Sequence, residues 1–262
     1  MAFTTIADAK RQTGLSYLAG LNTSAKVQKG VKQGIYTLIL YLAPASESGY
    51  NVCPHSTHEC RLGCLATSGR AAMELRAGKS NIMDSRIAKT RLFFEFNQFF
   101  MDWLRVEIEN AVRKAKKDGF KLGVRLNGTS DIEWEKYRVY DGKNIFEVFE
   151  DVQFYDYTKH PLRPLTNEHK NYHLTLSYTG RNSIATLRAL RNGVNVAVVM
   201  DIPKSKPLPS EWEGFEVVDG DGSDYRPNDA KGVVVGLRWK DIADKDASKR
   251  VRESAFVIKN NN

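Results

Sequence analysis

The sequence predicts an α/β protein built as a single domain, a full or partial (β/α) barrel, with a doubly wound sheet as the alternative. Three observations carry this reading. Short runs rich in Val, Ile, Leu and aromatic residues recur along the chain, and helical patterns lie between several of them. With 262 residues, 42% of them hydrophobic and including 12 Phe, 11 Tyr and 4 Trp, the chain is long enough to bury one large core.

Taken in order, strands are expected at Ile35–Leu42 (IYTLILYL), Leu122–Leu126, Val152–Tyr157, Tyr172–Ser177, Val194–Met200, Phe215–Val218 and Val233–Leu237. Runs this apolar read as buried parallel sheet. The longest helix is expected from about Ser85 to Asp118, with Phe93, Phe96, Phe100, Leu104 and Ile108 along one face as core. Its end is marked by Arg113, Lys114, Lys116 and Lys117 before Gly119, as the negative helix terminus favours. "SIATLRALRNG", from Ser183 to Gly193, gives a shorter helix between two strands. No repeat or long linker divides the chain, and "DIPKSKPLPSEWEG" is its one loop-like stretch. In either architecture the loops that follow the strands form the functional rim.

Several function classes find no support. No apolar run is long enough to cross a membrane, and "MAFTTIADAKRQTG" lacks the apolar centre of a signal peptide, so a cytoplasmic protein is expected. There is no G-x-S-x-G elbow, P-loop, H-E-x-x-H or G-x-G-x-x-G. "VDGDGSDYRPND" gathers Asp219, Asp221, Asp224 and Asp229 but fails the EF-hand pattern, and reads as a polar loop in which Arg226 pairs with these acids or reaches the rim. The formal charge of +8 admits a nucleic-acid partner, although the basic residues are spread along the chain.

All three cysteines, Cys53, Cys60 and Cys64, fall in "NVCPHSTHECRLGCLATSGR", directly after the first expected strand. Such clustering calls for a chemical reason. An odd number of thiols in one short loop does not suggest structural disulfides. Thiolates are soft ligands, and two metals suit them. Zinc would take His55 or His58 as the fourth ligand of a Cys3His site. A [4Fe–4S] cluster on three cysteines would leave one iron to His55, His58 or a small molecule.

A thiol trio after the first strand of a (β/α) barrel resembles, in outline, the radical S-adenosylmethionine enzymes. Their loop is C-x3-C-x2-C, whereas this one is C-x6-C-x3-C. Taken with "VRLNGTSDIEWE", "DVQFYDYTKHP", "NYHLTLSYTGRN" and "GVNVAVVMDIP", the cysteine loop also resembles a bacteriophage family of gene-product-88-like proteins, from about Leu15 to Pro203. That resemblance implies a phage protein in the cytoplasm of the infected host cell, and no assigned reaction.

The radical-enzyme resemblance gives the other strand ends candidate roles. Asn127, Gly128, Thr129, Ser130 and Asp131 stand where those enzymes hold the methionyl amine of S-adenosylmethionine; Gly128 allows close backbone approach and Asp131 suits an ammonium group. A helix-capping turn explains Ser130 and Asp131 equally well. Asp156, Lys159 and His160 end the third strand and form a candidate acid, base or phosphate site. Ser177 and Asn182 follow the fourth strand, Asp201 the fifth; Ser177 and Asn182 suit a ribose or carboxylate, or turn chemistry alone. The expectation is an iron–sulfur protein, either a nonstandard radical S-adenosylmethionine-type enzyme or a non-enzymatic iron–sulfur or zinc protein. Its partners would be a small-molecule ligand, a redox partner or nucleic acid, with no membrane.

Overall fold

The computed structural model describes residues 2–23 and 25–259. The chain runs α1 (Ile6–Thr13), β1 (Ala19–Leu21), α2 (Ala25–Val31), β2 (Ile35–Leu40), α3 (His58–Leu62), α4 (Gly69–Arg76), α5 (Asn81–Glu95), α6 (Asn97–Asp118) and β3 (Lys121–Arg125). It continues with β4 (Arg138–Tyr140), β5 (Lys143–Asn144), α7 (Ile145–Val148), β6 (Gln153–Thr158), α8 (Arg163–Thr166), β7 (Tyr172–Ser177) and α9 (Ser183–Arg191). The last elements are β8 (Val196–Asp201), β9 (Glu211–Trp212), β10 (Phe215–Asp219), β11 (Val234–Arg238), α10 (Lys245–Arg252) and β12 (Val257–Lys259).

The chain divides into two compact units. The first gathers the chain up to Pro54, Ser80–Asp156 and His169–Tyr172; the second takes His55–Lys79, Tyr157–Glu168 and the chain from His173 onward. In the first unit β2, β3 and β6 run parallel, with β1 antiparallel on the outer edge of β2. In the second, β7, β8, β11 and β10 run parallel, with β9 antiparallel on β10. The parallel, apolar strands of the sequence reading therefore form, but neither unit closes its sheet into a barrel. β8 carries an added partner: β7 pairs with its first residues, Val196 and Ala197, and β12 with Val199–Asp201.

The long helix is two helices. α5 ends at Glu95, and Phe96 takes φ −136° and ψ 56° before α6 begins. The aromatic stripe explains the break: Phe96 is exposed, while Phe93 and Phe100 are fully buried against each other and against Trp134. Turning the chain at Phe96 rephases the apolar face so that both buried rings meet the core. α6 ends as its sequence requires, on Gly119 at φ +74°, with lysines in the last turn. Among the described residues, no helix is long and apolar enough to cross a membrane.

Lys89 is a buried cation of the first unit. Lys89 is 5% exposed, its ammonium lies 4.3 Å from the centroid of the Tyr17 ring, and burial pushes its pKa down to about 8. The Glu107 carboxylate, which accepts from the N–H groups of Leu18 and Ala19, offsets part of that shift. Between about pH 8 and the ordinary lysine value near 10.4, the unfolded chain holds more protons than the folded one, so this residue makes stability rise with pH through that window. At pH 7 its penalty is about 3 kcal/mol, less about 1 for the ring contact. Lys89→Met is therefore expected to stabilise the protein by about 2 kcal/mol at pH 7. The gain should shrink toward zero by pH 10, as read from urea midpoints at both pH values; a pH-independent difference would contradict this account.

Candidate functional site

In the first unit, the loops that leave β2 and β3 are laced together. Gly128 donates its N–H to the Leu40 carbonyl at 3.0 Å, Thr129 its hydroxyl to the Leu42 carbonyl, and Asp131 its N–H to the Val52 carbonyl at 2.8 Å. A Cβ on Gly128 would stand 2.6 Å from the Leu40 oxygen and 2.7 Å from the Tyr41 ring. The glycine thus serves the approach of one rim loop to the next strand end. Cys53 is part of this lacing, its thiol 3.9 Å from the Thr129 carbonyl oxygen and its N–H on the Asn51 side chain at 2.9 Å.

Asn127 organises the loop from within. Its side-chain oxygen accepts from the Ser130 hydroxyl (2.8 Å), the Ile132 N–H (2.9 Å) and the Trp134 indole (3.1 Å), while its amide nitrogen donates to the Ile132 carbonyl. Ser130 and Asp131 lie in this loop and cap no helix, because the next element is a short 3₁₀ turn at Trp134–Lys136. Asp156 is 1% exposed; its carboxylate accepts from the Asn127 N–H at 2.8 Å and the Tyr172 hydroxyl at 3.1 Å, and lies 3.8 Å from Arg125 Nε. These bonds make Asp156 the post on which the exit of β3 is fixed.

In the second unit the chain brings His55 onto His160, their rings edge to face with centroids 4.3 Å apart. His160 Nδ1 accepts the N–H groups of Leu162 and Arg163, both at 3.2 Å. In the neutral ring this places the proton on Nε2, leaving a hydrogen-bond donor there. Lys159 beside it is half-buried. Asp156 belongs to the first unit, and Lys159 and His160 to the second.

Cys60 and Cys64 stand in and just after α3. Thr57 caps this helix through the Cys60 N–H at 3.2 Å, and Arg181 pairs with Glu59 at 2.8 Å. The Glu59 carboxyl is held below the usual range first by its own backbone N–H, then by Thr57 and Arg181. Cys60 and Leu62 pack on Val251, Phe256 and Val257, so the cysteine helix is seated on the C-terminal α10–β12 segment. Asp201 clamps that segment to the end of β8 by pairing with Arg252 (2.7 Å) and Lys259 (3.0 Å), and Arg252 first of all lowers its pKa. His58, the first residue of α3, is exposed.

The remaining candidates serve the turns. Asn182 accepts from the Thr179 N–H at 2.9 Å and donates to the Ser177 carbonyl at 3.1 Å, closing the turn after β7. Arg226 is 2% exposed, paired with Asp229 at 3.0 Å and donating to the Ser223 carbonyl. It also faces His173, which burial and then Arg226 push down to about 4, so that His173 is neutral at pH 7.

The cysteine loop is thus divided, Cys53 in the first unit and Cys60 and Cys64 in the second. All three are half-buried and in no disulfide, a donor set whose softness suits iron or zinc. Among the described residues, no three His, Cys, Asp or Glu side chains are grouped to hold a metal ion. Sequence reasoning missed the Tyr172 partner of Asp156 and the His55–His160 contact. A family model described as "Gene product 88" matches residues 15–257, whereas no curated protein and no solved structure matches the chain.

Proposed function

We propose that this chain, which belongs to the gene product 88 family, is an iron–sulfur protein that holds a [4Fe–4S] cluster on Cys53, Cys60 and Cys64. The observation that carries the reading is the presence of three half-buried thiols, none in a disulfide, within twelve residues of the loop that follows a parallel strand. No disulfide competes for them, and their short span along the chain limits how far apart they can be. When bound, a cluster with three protein thiolates supplies one iron open to a further ligand and a one-electron couple.

Around that centre the residues of this chain have distinct tasks. The 127–131 loop steadies Cys53 through the Thr129 carbonyl, and α3 presents Cys60 on a capped turn. His160 offers Nε2–H as a donor to a polar ligand, with Lys159 adjacent. A small molecule on the open iron, S-adenosylmethionine in the radical-enzyme version, would make the protein an enzyme. A second reading has His58 as the fourth ligand, giving a non-enzymatic redox or sensing protein; both His55 and His58 are exposed, but the His55 ring is already packed on His160, which favours His58. The site of action on either reading is the cytoplasm of an infected host cell, as the family's phage character implies.

The test is iron, sulfide and zinc content, with a visible spectrum, on protein purified without oxygen. Near four irons and four sulfides per chain are expected, falling to background in Cys60→Ala. One zinc and no sulfide would overturn the cluster. S-adenosylmethionine should perturb the spectrum of the wild type on the first reading, and only that of His58→Ala on the second.

A further inference from the structure

The first unit carries a surface that the thiols do not explain. Three segments meet where β2 and β3 begin: the end of α2 with the turn that follows it, the last turns of α6, and the first residue of β3. Ile35 is in register with Lys121, and Lys121 donates its N–H to the Gly34 carbonyl at 2.9 Å. Onto this corner they bring Lys29, Lys32, Arg113, Lys116, Lys117 and Lys121, all exposed. From Ala25 to Tyr36 there is no Asp or Glu, and from Arg113 to Lys121 only Asp118. That one acid is taken by Lys114 at 2.8 Å and the Tyr36 hydroxyl at 2.9 Å, which hold its pKa below the usual range. Among the described residues, no ion pair holds Lys32, Lys116, Lys117 or Lys121. Glu150 and Asp151 precede β6, the strand paired with β3.

The negative end of α6 accounts for Lys116 and Lys117 but not for cations delivered by two other segments. The charge of Lys32, Lys116, Lys117 and Lys121 costs self-repulsion, which is offset when a polyanion releases its counterions onto it. The aromatic residues indicate which polyanion. Tyr36 is stacked on Phe120, with centroids 4.3 Å apart, and Lys114 lies over the Tyr36 ring, so neither face of that tyrosine is offered for stacking unpaired bases. From this we infer that the corner formed by the α2–β2 turn, the α6 terminus and the start of β3 binds the phosphate backbone of double-stranded DNA without reading its sequence.

The experiment is fluorescence anisotropy of a labelled 20-base-pair duplex against the full chain between 50 and 200 mM KCl. The log–log salt slope of the wild type is expected at roughly −3 to −5, about 0.9 per phosphate neutralised. Lys116→Glu/Lys117→Glu/Lys121→Glu should weaken binding at least about 30-fold at low salt and make the slope shallower by roughly 2 to 3. Its control is Arg188→Glu/Arg191→Glu/Lys249→Glu, with the same change in net charge on exposed residues of the second unit; it should stay within about threefold of wild type. Equal losses in both triples would reduce the effect to net charge and overturn the site. Absence of binding by the wild type at 50 mM KCl would also overturn it, as would tighter binding of a single strand than of the duplex. Because every substituted side chain is exposed, thermal midpoints should confirm that both triples fold.

Discussion

Asn127→Ala is expected to cost about 3–5 kcal/mol of stability, among the largest losses any single polar residue of the first unit should show. The side chain is 2% exposed and satisfies the Ser130 hydroxyl, the Ile132 N–H and the Trp134 indole at once. Truncation strands three donors beside a fully buried tryptophan, where each unsatisfied group costs about 1–3 kcal/mol, and relaxation keeps the total below the simple sum. Asn127→Asp keeps the acceptor but loses the bond to the Ile132 carbonyl and sets a second carboxylate near Asp156, so an intermediate loss is expected. Urea midpoints rank the three proteins. Because the same loop carries the Thr129 carbonyl opposite the Cys53 thiol, Cys53 should react faster with a thiol reagent in the alanine variant. A loss under about 1 kcal/mol would show that the loop is held some other way.

Gly180→Ala should be nearly as damaging, for a different reason. Gly180 has φ +79°, and a Cβ there would stand 2.5 Å from the Ala255 carbonyl carbon and oxygen and 2.8 Å from the Phe256 nitrogen. Those atoms are backbone and cannot swing aside. Positive φ costs an alanine about 1 kcal/mol, and forcing the C-terminal segment outward adds about 1–3. Gly193→Ala separates the two contributions: its φ is +78°, but the nearest atom to its Cβ would be Lys231 Cβ at 3.8 Å. It should lose only the backbone share. Displacing Phe256 also loosens the seat of Cys60 and Leu62, so Cys60 should react faster with a thiol reagent in Gly180→Ala but not in Gly193→Ala. Equal destabilisation of the two variants would remove the clash from the argument.

The features that were legible in the sequence are those settled within a few residues. Apolar, β-branched runs place β2, β3, β6, β7, β8, β10 and β11 to within a residue or two of their observed bounds, because consecutive side chains on a parallel strand are buried on both faces whatever the neighbouring strand is. The stop of α6 at Gly119 is local in the same sense. So is the thiol grouping, which is a property of spacing. What escaped were features whose cause lies elsewhere in the chain. α5 and α6 read as one helix because the break at Phe96 is imposed by where Trp134 waits for Phe93 and Phe100, not by a helix-breaking residue. β12 is three residues long and exists because β7 leaves half of one β8 edge unpaired.

The candidate residues divide along the same line. By itself the sequence determined which chemistry the chain has to offer: three soft thiols in one loop, polar residues at strand ends, and more positive than negative charge. Only the tertiary structure decided how those groups are used. Strand order sets Tyr172 beside Asp156 and lays His160 against His55, and the meeting of α2, α6 and β3 gathers Lys32, Lys116, Lys117 and Lys121 without an ion pair among the described residues. The physical reason is range. Period, capping and ligand type are decided by neighbours along the chain, whereas burial, pairing and charge balance depend on which distant segments the sheet brings together.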